Sequence, residues 1–376
     1  MPFYVQSFGA SATTVTLLFA VFSLFALFSS PLLGALSDKI GRRPVLIISM
    51  ISTTVGWVVF SLARSTWLLF LGRIIDGAAA GNFTTAQSAL VDIAKDDRER
   101  TVNIGLIGAT FGVGFVVGPL LGGFLGHFGP VVPFWFAAGL SAVNMLGAIF
   151  LFPETNKHLV ENKSRPYALN PFAPLTSAVK DKILRAPYAA WFLFQAAMAI
   201  MQSVFALYLN AAFGYGPLTV GLFLGGMGVV LALNQGIALR KFWLHRFAEP
   251  SLELVMLAAG AVALTLLGIP FLSAFLLGLL LNTLSQSILR AVMTSQVVGA
   301  VTPSRRGEVL GVLSSIMFVA NAVGPAFAGV IFEWHSFYPF AAAAMCMVVA
   351  WVVTFRNRRR LAQIIAVDDP EEILVG

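Results

Sequence analysis

The chain has 376 residues, of which 58% are hydrophobic and only 11% charged, with 24 Lys and Arg against 17 Asp and Glu. Ordinary globular domains carry about 25% charged residues, so this composition excludes a water-soluble core, which would need a polar shell the sequence lacks. The net charge of +7 does not point to nucleic acid either, because the basic residues sit in short gaps between apolar runs rather than along one face.

A helix needs about 20 apolar residues to cross a bilayer. In chain order, runs of that kind occupy 14–36, 44–63, 67–91, 102–126, 133–152, 189–212, 218–239, 252–269, 271–299, 309–332 and 336–355. They predict an all-α, polytopic membrane protein with eleven spans. Between the first two lies "GALSDKIGRRPVL", with Asp38, Lys39, Arg42 and Arg43 close together. If that loop is cytoplasmic and the sides alternate, every Lys and Arg except Arg64, Arg73 and Arg290 falls on the cytoplasmic side. This positive-inside asymmetry puts "RNRRR" (Arg356 to Arg360) and the C-terminus in the cytoplasm.

The third run, 67–91, carries Arg73 and Asp76. At about 100° per residue, Arg73, Asp76, Ala80, Thr84 and Gln87 share one face. A charge at mid-span costs roughly 2.5–3.5 kcal/mol on insertion scales, so at i, i+3 the two predict each other as partners. Asp76 is the only carboxylate well inside a predicted span, and so the candidate proton carrier. Asp92 closes this span on the cytoplasmic side, followed by Arg98 and Arg100.

The fourth run holds Gly105, Gly114, Gly118, Pro119, Gly122 and Gly123. Gly114, Gly118 and Gly122 stand four apart and predict a bare face open to close approach by a neighbour, with a bend at Pro119. The polar segment 153–188 opens with "PETNK" and separates five spans from six, predicting bundles at 1–152 and 189–356, a central cytoplasmic loop at 153–188 and a tail at 357–376. In the sixth run Gln195 and Gln202 share a face. In the ninth, Asn282, Gln286 and Arg290 form a second polar stripe.

The halves are related. Aligned without a gap, Gly105, Gly118, Pro119 and Gly123 meet Gly311, Gly324, Pro325 and Gly329. Duplicated membrane bundles with a site between the repeats are an architecture of secondary transporters. The alignment pairs the fourth span of the first bundle with the fifth of the second, leaving the first bundle one helix short at its front. A late start in the reading and a native eleven-span chain both remain open.

Cys346 is the single cysteine, and His127, His158, His245 and His335 are scattered, so neither a disulfide framework nor a metal set is expected. A cleavable signal peptide is not expected either, because no basic segment precedes a first run long enough to span. Without a phosphate-binding loop or a nucleophile–base set, no cofactor, ATP-driven transport or enzyme activity is expected.

These residues carry a resemblance. "GALSDKIGRRPVL", with Gly34, Asp38, Gly41, Arg42 and Arg43, resembles the loop motif between helices two and three of the major facilitator superfamily. "LGRIIDGAAAGN" (71–82) is similar to its helix-four motif. The glycines of the fourth run match the helix-five motif of its drug:proton antiporters, with tetracycline exporters nearest in pattern. The resemblance implies a cell-membrane protein that exports small organic molecules in exchange for protons, by alternating access between two bundles of a twelve-helix fold whose first helix is absent here. It implies a gate of Asp38, Arg42, Arg43, Asp92, Arg98 and Arg100, and a cavity lined by the polar stripes. The second bundle's counterpart of the loop motif, "GIALRKFWLHRFAE", lacks the aspartate. An importer of a sugar or other metabolite and a non-transporting relative also remain open, as does the oligomeric state.

Overall fold

The computed structural model describes residues 1–156, 176, 178, 180, 181, 183–302 and 305–368, without the side chains of 97, 98, 100–102, 104, 105, 107–109, 111 and 359–368. All regular structure among the described residues is helical. The reason is the solvent: hydrocarbon offers no partner for backbone N–H and C=O groups, so each span must satisfy its own. The helices are α1 (Pro2–Gln6), α2 (Ala12–Ile40), α3 (Arg42–Ser61), α4 (Thr66–Ala78), α5 (Asn82–Asp92), α6 (Asp97–His127), α7 (Val132–Phe150), α8 (Arg185–Phe213), α9 (Pro217–Leu233), α10 (Glu249–Leu267), α11 (Leu272–Gly299), α12 (Arg306–Trp334) and α13 (Tyr338–Asp368).

Nine described helices are long and apolar enough to cross a membrane, the π-helical continuation of α9 counted with it. The two remaining predicted spans are α6, apolar over Gly112–His127, and the stretch 67–91, which the structure corrects from one helix to two. The break at 79–81 has a local cause. A Cβ on Gly77 would lie 2.8 Å from Phe22 O and 2.9 Å from Phe25 Cβ, so α2 approaches closely enough to compete for the backbone. Ser29 Oγ donates to Gly77 O at 2.6 Å, and the Gly81 amide turns instead to Ala79 O at 2.8 Å.

Beyond α9, residues Asn234–Trp243 continue as π-helix. A π-helix of more than one turn is rare, and side chains brace this one. Here Asn234 accepts from Trp243 Nε1 at 2.9 Å and donates to Ser287 Oγ, while Gln235 Nε2 donates to Ser287 O at 3.2 Å.

The chain forms two compact units. One gathers Met1–Ala173, Ala199–Ala232 and Asn321–Pro339; the other gathers Pro174–Met198, Leu233–Ala320 and Phe340–Gly376. In the first, Tyr4, Val15, Leu18, Phe60, Leu69, Phe134 and Leu207 form a buried cluster. The Tyr4 hydroxyl reaches the carbonyls ending α3, at 3.3 Å from both Phe60 O and Ala63 O. In the second, α10 and α11 cross at Gly278, where a Cβ would stand 2.8 Å from Ala263 O.

Candidate functional site

Three groups of charged and polar side chains are built into these units. The first stands where α2 turns into α3. Gly41 has φ +107°, a conformation that costs glycine little, and an added Cβ would strike the Glu154 carboxylate. The turn delivers Arg42 into a buried position. Its Nη1 lies 2.6 Å from Asp38 Oδ1 and donates to Ser37 Oγ at 2.6 Å, while its Nε donates to Asp92 Oδ2 at 2.8 Å. Arg43 donates to Ile149 O at the end of α7. The ends of α2, α3, α5 and α7 are thereby tied together by the ions the sequence singled out. Asp38 remains half-exposed, at 51% for its side chain. Gly34 borders open space.

Sequence reasoning missed the residue that occupies the α3 N-terminus. Glu154 accepts from the Arg42 amide at 2.8 Å and the Arg43 amide at 3.1 Å, which satisfies donors orphaned at a helix start. Burial opposes the Glu154 charge, but the Asn156, Arg42, Arg43 and Thr155 amides outweigh it and hold the carboxyl below its ordinary range. Two residues on, Asn156 Nδ2 donates to Asp38 O at 2.9 Å. "PETN" thus caps α2 and α3 together. Its quoted motif was a signal in the sequence, but its partner lies more than a hundred residues away.

The second group is Arg73 and Asp76 on α4, paired at 3.2 Å with side-chain exposures of 9% and 10%. Glycines bring them inward. A Cβ on Gly56 would lie 2.9 Å from both Gly72 O and Asp76 Cβ, so α3 and α4 meet backbone to backbone at this level. The Arg73 guanidinium also sits 4.3 Å from the centroid of Phe22 and 5.4 Å from that of Trp57, contacts worth about 0.5–2 kcal/mol each. Thr84 and Gln87, expected on the same face, ride on α5 beyond the break and are half-buried there. The continuous stripe is corrected to a pair on one helix and a polar face on another.

The third group is on α11. Asn282 is fully buried, and its amide nitrogen and oxygen have no partner among the described residues. Gln286 is 9% exposed, and Arg290, one turn further, is exposed. Arg290 Nη2 lies 3.9 Å from Met317 Sδ, and among the described residues no carboxylate pairs with it. On α8, Gln195 is buried and Gln202 exposed. Arg98, Arg100 and Gly105 lie on α6 at positions whose side chains are outside the described ones.

The glycine face of α6 is corrected. Gly114, Gly118 and Gly122 border open space, whereas Gly123 meets Gly221 Cα and Pro217 O of α9, each 2.9 Å from where its Cβ would stand. The glycines that admit a neighbour are those of α9. An added Cβ would lie 2.6 Å from Pro119 O at Gly221, and 2.7 Å from Phe115 O at Gly228. A second carboxylate inside a span was also missed. Glu253, four residues into α10, is 5% exposed, accepts from Thr354 Oγ1 at 3.2 Å and pairs with Arg358 at 3.1 Å.

A multi-span helical bundle with charges placed inside its spans and an ionic clasp across one set of helix ends is the makeup of a membrane carrier. Residues 1–247 match the family model of the Major Facilitator Superfamily, and the chain belongs to that superfamily of transport proteins. It is 29% identical over 311 residues to the class E tetracycline resistance protein of Escherichia coli, covering 82% of this chain and 76% of the relative. It is 24% identical over 364 residues to multidrug resistance protein 2 of Bacillus subtilis, covering 94% and 88%. The human organic anion transporter MFSD10 superposes with a TM-score of 0.70 over 94% of this chain and 88% of that one, at 22% identity. The protein is a transporter, not an enzyme, and integral to the membrane.

Proposed function

We propose that the protein is a proton-coupled exporter of small, amphipathic organic molecules of the tetracycline kind, working by alternating access in the cell (inner) membrane with its C-terminus in the cytoplasm. The observation that carries this reading is the Arg73–Asp76 pair, buried within a span at 3.2 Å. A titratable carboxylate held against a fixed cation can take up or release a proton and change how strongly the cation is compensated. Similarity to tetracycline and multidrug resistance proteins supports the direction of transport and the substrate class.

In this reading Asp76 carries the proton. The stripe of Asn282, Gln286 and Arg290, with Gln195, Gln202, Thr84 and Gln87, meets the substrate, and the bundles 1–152 and 189–356 are the moving halves around the loop 153–188. The cluster of Asp38, Arg42, Asp92 and Glu154 keeps four helix ends together. Asp38, half-exposed and paired with Arg42 from the end of α2, is the one placed to exchange partners during the cycle.

The test is transport in inverted membrane vesicles with tetracycline as the probe. Energised vesicles are expected to accumulate it, and collapse of the pH gradient with nigericin is expected to abolish accumulation. Uptake that survives nigericin would remove proton coupling. Net release from energised vesicles would remove the assignment as an exporter.

A further inference from the structure

Beyond transport, the second unit holds a cavity of about 270 Å³ framed by the first turn of α8, the start of α10, the end of α11 and the end of α13. Its walls are chiefly apolar, with Pro187, Met293 and Val297 among them. Besides Asn357, two polar features face it. One is the Glu253–Arg358 pair, whose carboxylate also accepts from Thr354, so the pair is satisfied and close to neutral. The other is Gln296, whose Nε2 is buried without an acceptor among the described residues.

We infer that this cavity holds the acyl ester of a membrane glycerolipid, with its carbonyl oxygen accepting from Gln296 Nε2 and the first part of its chain against the apolar walls. Three observations select this chemistry. A buried amide donor without a partner costs about 1–3 kcal/mol and calls for an acceptor. A phosphate or free carboxylate would have to compete with Glu253 for Arg358, so the acceptor is uncharged. At roughly 30 Å³ per water-sized group the space takes about nine non-hydrogen atoms, more than one ordered water needs and too apolar to fill with several.

Depth agrees. Gln296 stands three residues before the end of α11 and Glu253 four residues into α10. Arg305, Arg306 and Arg240 lie at the same end of the spans, and the ester layer of a bilayer lies just inside its charged surface.

The test uses the purified full chain in detergent and native mass spectrometry with two lipids of identical headgroup and chains, dioleoylphosphatidylcholine and its dialkyl ether counterpart. The wild type is expected to retain the ester lipid at about three- to tenfold lower concentration, the range one hydrogen bond supplies. Gln296→Leu should erase the difference, and Ala300→Phe, at the rim, should weaken both lipids alike. Soluble methyl octanoate, which carries the same carbonyl, should displace the ester lipid. Equal retention of ester and ether lipid by the wild type overturns the assignment, and that comparison needs no variant. A preference that survives in Gln296→Leu removes Gln296 from it. Retention of methyl octanoate without any ester lipid removes the bilayer as the source.

Discussion

Arg73 and Arg290 are the two arginines that the sequence sets inside apolar runs, and their surroundings differ in what decides how a cation is held. Arg73 is enclosed, has Asp76 at 3.2 Å and lies over Phe22. Arg290 is exposed, lies 3.9 Å from the sulfur of Met317 with no carboxylate paired to it among the described residues, and shares a stripe with Asn282, whose amide lacks a partner among them too. One cation is compensated by a carboxylate on its own helix; the other has no such carboxylate among the described residues. A paired ion and an unpaired one should therefore respond differently to removal, and mutation can separate them.

The largest effect is expected at the compensated site. Asp76→Asn leaves Arg73 buried without a counter-charge, which typically costs 3–5 kcal/mol. Transport should fall at least tenfold, together with the melting temperature in detergent. The double replacement Arg73→Met, Asp76→Leu removes both charges at similar volume, a change that is often neutral or stabilising. It should recover the melting temperature while leaving tetracycline transport absent. Recovery of transport by the double variant would make the pair purely structural.

Arg290→Met should invert this pattern. With no carboxylate to abandon among the described residues, stability should change little, within about 1 kcal/mol, while transport falls severalfold. Arg290→Lys should restore part of it, because the charge returns without the planar fork. A large loss of stability in Arg290→Met would show that the cation is held by the fold after all.

The close approach of α6 and α9 gives a similar contrast among glycines. Gly221→Ala places a methyl group 2.6 Å from Pro119 O and 2.9 Å from Gly123 Cα. Backbone atoms cannot yield as a side chain can, so a loss of about 1–3 kcal/mol is expected. Gly118→Ala meets open space and should gain up to about 1 kcal/mol from helix propensity. Unfolding midpoints of the two variants in detergent check both signs.

How much of this the sequence disclosed follows the range of the interaction. Spans were legible because hydrocarbon imposes a length and a composition on each run independently. Arg73 with Asp76 was legible because partners three residues apart on a helix meet whatever surrounds them. The break at 79–81 was not, since it depends on Ser29 and Phe22 of a different helix. Glycine spacing on α6 predicted that some face would be bare, but periodicity does not say which face meets a neighbour, and α9 packs at Gly123 rather than Gly118. Glu253 stood one residue inside a run read as starting at 252, and α10 begins three residues earlier, which carries the carboxylate into the buried turn. Glu154 could be read as a charge but not as a cap.

That cap yields the smallest expected effect. The Glu154 carboxyl is held below its ordinary range by amides that the unfolded chain does not offer. Its contribution is therefore present above the ordinary glutamate pKa of about 4.3 and fades as pH falls through the lower folded value, where the carboxylate protonates and ceases to accept from the Arg42 and Arg43 amides. Because the side chain is exposed to water, the effect is about 0.5–1 kcal/mol. Glu154→Gln should lower the melting temperature at neutral pH by a few degrees at most, and the difference from wild type should shrink as pH drops below 4. Clasp and pair differ here as the two arginines do: the buried pair on α4 is costly to break, while the cap at the α2–α3 turn sits where water can replace part of what is removed.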